Sequence, residues 1–134
     1  VEAGWRNATG DLNMTKIYLT DDEPAPIRVL KMTLERKGYE VETFPNGEKV
    51  LHRIREQVPD VLITDIEMPV MTGEELCAQL NVEFPARTFP IFVVTSLTDL
   101  QHRHWAQGME NLHFLEKPIS MRRLTGQIDE VLGG

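Results

Sequence analysis

Cysteine is nearly missing from this 134-residue chain. It occurs once, as Cys77, so no disulfide can close within the chain. Such usage fits a reducing, cytoplasmic setting. Long apolar runs are missing as well: the longest, Ile91 to Val94, is far short of the roughly 20 residues that cross a bilayer. Basic charge is in deficit, with 14 Lys and Arg against 21 Asp and Glu and a net charge of −7. That balance argues against nucleic acid as the direct partner, which would want a basic face. Neither a Walker lysine loop nor a Gly-x-Gly-x-x-Gly string is present, so nucleotide binding has no motif behind it. The histidines His52, His102, His104 and His113 have no ligand spacing, which leaves zinc without a site.

What remains is globular: 41% hydrophobic and 26% charged residues, in a length that suits one domain. Val1 to Thr15 is polar and aperiodic and reads as a tail or linker, leaving residues 16–134 as the domain. From Lys16 onward, short apolar runs alternate with amphipathic ones. Strands are expected at Ile17–Leu19, Glu40–Phe44, Val61–Ile63, Ile91–Val94 and Leu112–Leu115. Pro45 after the second suggests a strand near a sheet edge.

Helices are expected between and after the strands. The first spans about Pro26 to Lys37, stopped by Gly38, with Val29, Leu30, Thr33 and Leu34 on one face. Asn46 caps the second, whose apolar stripe is Val50, Leu51, Ile54 and Val58. The third uses Leu76, Cys77 and Leu80. The fourth, about Thr98 to Gln107, has a thin stripe; its His104 and Trp105 belong either to an output face or to a cover for the core edge. Ser120 caps the last. Strand–helix alternation five times over predicts an α/β fold: a doubly wound, five-stranded parallel sheet with right-handed crossovers.

Five polar residues directly follow apolar strand cores: Asp21, Asp22, Asp65, Thr95 and Lys117. Parallel strands would gather them along the carboxyl edge, where open α/β sheets place their ligands. Two carboxylates about 5 Å apart repel by roughly 3 kcal/mol at an effective dielectric of 20. The cluster therefore needs a cation or raised pKa values. Oxygen ligands without His or Cys suit Mg²⁺ or Mn²⁺. Lys117 adds a positive charge and Thr95 a hydroxyl donor, so the set would bind a metal and a tetrahedral anion.

Asp21-Asp22, Asp65-Ile66-Glu67-Met68-Pro69 with Gly73, Thr95-Ser96 and Lys117-Pro118, in that order at strand ends, resemble the receiver domains of two-component response regulators. The match covers about Lys16 to Leu132. It implies the flavodoxin-like, CheY-like strand order 2-1-3-4-5 and a phosphorylation-activated switch. Asp65 would be the phosphoacceptor, receiving its phosphoryl group from a histidine kinase or phosphotransfer protein. Asp22 would bind Mg²⁺ directly, Asp21 through water, and Glu67 through its backbone carbonyl. Lys117 would pair with the phosphoryl oxygens and Thr95 would hydrogen-bond them. Phe114 matches the aromatic switch position, and Pro118 the proline that often follows the lysine in a cis peptide.

The outcome would be a changed surface on helix four, strand five and helix five. It would control a protein target or an output domain absent from this sequence. Two competitors differ in class. A Mg²⁺-dependent phosphohydrolase of the haloacid dehalogenase type would want its two Asp residues spaced one apart, whereas Asp21 and Asp22 are adjacent. A pseudo-receiver would bind partners without phosphorylation, and the intact acidic and lysine positions argue against it.

Overall fold

The computed structural model describes residues 5–6, 12–13 and 15–132, the side chains of Trp5, Arg6, Leu12, Asn13, Leu97 and Leu100 excepted. Most of the expected tail lies outside the described residues. Its two described pieces, Trp5–Arg6 and Leu12–Asn13, pair antiparallel.

The main sheet is built from β1 (Lys16–Thr20), β2 (Glu40–Phe44), β3 (Val61–Asp65), β4 (Ile91–Thr95) and β5 (Leu112–Glu116). All pairings are parallel, in the order β2-β1-β3-β4-β5. The expected order and the edge position of β2 are both observed. The central strands β3 and β4 are buried along their whole length. This is why they are continuous apolar runs rather than alternating ones.

Helices α1 (Pro24–Arg36), α2 (Gly47–Glu56), α3 (Gly73–Glu83) and α5 (Met121–Val131) cover the two faces. One core joins Ile17, Leu19, Ile63 and Phe92 of the sheet to Leu34 of α1 and Leu124 and Ile128 of α5. The other joins Tyr18, Leu62 and Val93 to Leu51 of α2 and Leu76 and Leu80 of α3. Ile17 and Leu19 face one way and Tyr18 the other, as the pleat of a strand requires.

Caps set the helix limits. Asn46 Oδ1 accepts from the Lys49 amide at 2.9 Å, and Ser120 Oγ from the Arg123 amide at 3.3 Å. Thr72 and Glu75 form a reciprocal capping box at α3. α1 starts two residues before the expected Pro26, because both Pro24 and Pro26 fit its first turn, where no N–H is needed. It ends just before Gly38, whose φ of +96° turns the chain into β2.

Three expectations need correction. Val29 is 65% exposed rather than in the core, since it sits beside Leu30 and off the inward stripe of α1. Val58 is exposed because α2 ends at Glu56, before the stripe reaches it. The fourth helix is broken: α4 covers only Leu97–Gln101, and a 3-10 turn follows at Arg103–Ala106. A thin apolar stripe gives a longer helix too little to bury, and one turn alone is marginal in water.

Candidate functional site

Asp65 is the last residue of β3 and is 5% exposed. Its Oδ1 accepts from the Ile66 amide at 2.7 Å, and its Oδ2 accepts from Lys117 Nζ at 3.0 Å. Both carboxylate oxygens are thereby oriented from the protein side. Lys117 follows β5, and its own amide donates to the Thr95 carbonyl at 2.8 Å. That bond continues the β4–β5 ladder by one step and brings the lysine to the same edge as Asp65. The Lys117–Pro118 peptide is cis.

Asp21 and Asp22 follow β1 directly. Asp21 is half-buried, Asp22 exposed, and Asp21 Oδ1 accepts from the Glu23 amide at 3.0 Å. Carboxylate oxygens of Asp21, Asp22, Glu23 and Asp65 all lie within 4.8 Å of one another. The predicted acidic cluster is therefore assembled, with one extra member. Glu23 is the N-cap of α1 but accepts no capping bond, so its carboxylate stays available at the edge. Its recruitment follows from α1 beginning at Pro24 instead of Pro26.

The electrostatics are those of crowded anions. Carboxylates at such separations repel by roughly 3 kcal/mol per pair at an effective dielectric of 20. Burial raises the Asp21 pKa above its ordinary value; the Asp65 charge adds to this, while the Glu23 amide and Lys117 oppose it. Burial alone would lower the Lys117 pKa. The Asp65 hydrogen bond and charge, with Asp21 and Glu23, outweigh it and hold the ammonium above its usual value. One ammonium does not neutralise four carboxylates, so a cation has a place here. The donors are all carboxylate oxygen, a set that fits Mg²⁺ or Mn²⁺ and not zinc.

The remaining predicted residues stand at different distances from this centre. Glu67 is exposed in the loop between β3 and α3, and its side chain is not one of the gathered carboxylates. Thr95 is 1% exposed at the end of β4, but its hydroxyl donates to the Ser96 carbonyl at 3.1 Å. Phe114 is half-buried in β5 and meets the Trp105 ring edge-on, with centroids 5.8 Å apart and planes at 74°.

Gly73 plays a part that its motif alone does not reveal. The first residue of α3 lies directly on the Asp65–Ile66 backbone, with its amide donating to the Ile66 carbonyl at 2.7 Å. A Cβ there would collide with the Asp65 carbonyl oxygen and the Ile66 Cα. Only glycine lets α3 start so close to the site. On the other side, a pocket of about 620 Å³ opens beside Asp21, Asp65 and Lys117, walled by Val29, Leu30 and Met121.

Chemically, the site holds a buried, oriented carboxylate, a lysine beside it and a cluster of four carboxylates. Comparison with known proteins places the chain in a family. The family model described as "Response regulator receiver domain" matches residues 17–129. The alkaline phosphatase synthesis transcriptional regulatory protein PhoP of Bacillus subtilis is 29% identical over 117 residues, 87% of this chain and 48% of that protein. Protein PilH of Pseudomonas aeruginosa is 29% identical over 121 residues, 90% of this chain and all of that protein. The chemotaxis response regulator CheY4 of Vibrio cholerae superposes with a TM-score of 0.79 at 28% identity, covering 89% of this chain and 99% of that one. The chain spans about half the length of several curated relatives it matches.

Proposed function

The chain belongs to the response regulator receiver domain family, and on that premise we propose that it is a phosphorylation-activated switch whose acceptor is Asp65. The observation that carries this reading is the Lys117–Asp65 contact of 3.0 Å beside the four-carboxylate cluster. A histidine kinase or phosphotransfer protein supplies the phosphoryl group. An Asp65 carboxylate oxygen attacks phosphorus in line. The P–N bond of the donor breaks, its electron pair stays on the imidazole, and an acyl phosphate remains on Asp65. No external substrate is turned over, so the domain is not an enzyme in that sense.

The chain's own residues supply positioning and charge, which are what phosphoryl transfer mostly needs. The Ile66 amide and the Lys117 ammonium hold the carboxylate in one orientation. Asp22, Asp65 and the Glu67 backbone carbonyl would hold Mg²⁺ (or Mn²⁺), with Asp21 acting through water. When bound, the ion neutralises charge shared between the carboxylates and the phosphoryl oxygens. Lys117 then shifts its pairing to the phosphoryl group. The Thr95 hydroxyl turns from Ser96 toward the new anion, and Phe114 responds on the neighbouring strand.

The target is a protein surface or an output domain, reached without direct nucleic-acid or membrane contact by this domain. No helix among the described residues is long and apolar enough to cross a membrane. We place the domain in the cytoplasm, as its lone, buried Cys77 suits.

The test is phosphorylation by acetyl phosphate with and without Mg²⁺, read by intact-mass spectrometry on wild type and Asp65→Asn. The expected result is one Mg²⁺-dependent adduct that the substitution abolishes. A label surviving in Asp65→Asn overturns the acceptor assignment. Absence of any label favours a phosphorylation-independent binding module. Sustained turnover of p-nitrophenyl phosphate favours a phosphohydrolase.

A further inference from the structure

The segment after β4 differs in build from the other helical crossovers. α4 has five residues, then the chain tightens into the 3-10 turn Arg103–Ala106. A single helical turn gains almost no cooperative stabilisation, so this segment can rearrange at low cost. Its two ends are fastened to different things. At the start, Ser96 caps α4 by accepting from the Asp99 amide at 3.1 Å, while the Ser96 carbonyl accepts the Thr95 hydroxyl at 3.1 Å. At the far end, the Trp105 ring packs edge-on against Phe114, 5.8 Å away between centroids.

Phe114 lies three residues before Lys117, whose amide is bonded to the Thr95 carbonyl. Thr95 and Lys117 thus join the acidic site to both ends of the segment. Trp105 and Phe114 are both half-buried against the Tyr18 side of the core. Each ring therefore covers part of the other.

We propose that Trp105 is a latch on the receiver switch, holding Phe114 and the 97–106 segment in the resting arrangement until the Thr95 hydroxyl is drawn off Ser96. The inference rests on the phosphorylation reading above and adds a positioning residue to it. Losing the Ser96 contact loosens the cap of a one-turn helix. The far end then gives way at its aromatic contact, and the indole leaves Phe114 for water. An aromatic pair of this geometry biases such an equilibrium by roughly two- to tenfold.

The chain has two tryptophans, Trp5 and Trp105. In a Trp5→Phe background, indole emission therefore reports Trp105 alone. The domain is titrated with beryllofluoride and Mg²⁺, with bound beryllofluoride followed by ¹⁹F NMR in the same samples. The expected result is a red-shifted emission that tracks the bound fluorine signal. Trp105→Ala is expected to tighten beryllofluoride binding by roughly two- to tenfold, with Trp105→Phe staying near wild type. Bound beryllofluoride with unchanged emission overturns the latch and leaves the acceptor reading intact. Binding no tighter in Trp105→Ala overturns it too. Absence of any bound fluorine signal brings down the underlying reading and the latch with it.

Discussion

The Lys117 ammonium reaches Oδ2 of Asp65 at 3.0 Å, across 52 positions of chain. β3 and β5 are not neighbours; β4 lies between them. The long, unbranched lysine stem spans that strand along the carboxyl edge. Asp65 is almost wholly buried, whereas the Lys117 side chain is 41% exposed. The carboxylate depends on the pair more than the ammonium does. Lys117→Met should therefore cost on the order of 1–2 kcal/mol in metal-free buffer, after discounting for the solvent-facing side of the lysine. The same variant should bind Mg²⁺ several-fold more tightly, because a competing positive charge is gone. Urea melts and calorimetric titration read the two effects separately.

Divalent cation should stabilise the fold, because the four gathered carboxylates repel one another without it. At ten times its dissociation constant, Mg²⁺ should add about 1.4 kcal/mol. Asp65→Asn should remove most of that increment while making the metal-free protein more stable. The apparent Mg²⁺ affinity should fall on acidification, since the raised Asp21 carboxyl takes up a proton earlier than an ordinary one. Thermal melts with and without MgCl₂ at two pH values measure this. An equal increment in wild type and Asp65→Asn would place the ion elsewhere.

Much of this was legible in the chain because parallel strands turn sequence into position. Once Val61–Ile63 and Ile91–Val94 are buried strands, the polar residues after them must share one edge. Helix caps were legible at Asn46 and Ser120, where a side-chain oxygen has one local job. What escaped depends on exact helix phase and on three-dimensional neighbours. Glu23 joins the cluster only because α1 begins at Pro24. Val29 leaves the core because a helical stripe narrower than its apolar residues must expose one of them. The direction of the Thr95 hydroxyl, toward the Ser96 carbonyl, is a local choice that no spacing encodes.

Two glycines should answer oppositely to alanine. At Gly73 the new methyl would meet the Asp65 and Ile66 backbone, which cannot swing aside as a side chain can. Gly73→Ala should cost about 2 kcal/mol or more and slow labelling of Asp65 by displacing it. At Gly126, inside α5, a Cβ meets nothing within 4 Å. Gly126→Ala should stabilise by about 0.5–1 kcal/mol, through helix propensity and a less flexible unfolded chain. Equilibrium urea unfolding of both variants checks the opposite signs.

The link between α2 and α3 should give the fold an acid-sensitive edge. Arg55 Nε and Nη2 donate to the two Glu83 carboxylate oxygens at 2.7 and 2.5 Å, and Gln79 Nε2 adds a third bond at 2.6 Å. The Arg55 bonds, then that of Gln79, hold the Glu83 pKa down to about 2. A depressed carboxylate contributes its stability fully above the unfolded value, near 4.3, and loses it as pH falls toward the folded one. The difference between wild type and Glu83→Gln should thus be constant from about pH 7 to about pH 5, then close toward about pH 2. Because the pair is at the surface, added salt should shrink the difference across the whole range. Urea midpoints of the two proteins along a pH series test it; parallel curves down to the lowest pH would mean that the Arg55 fork does not hold the carboxylate in solution.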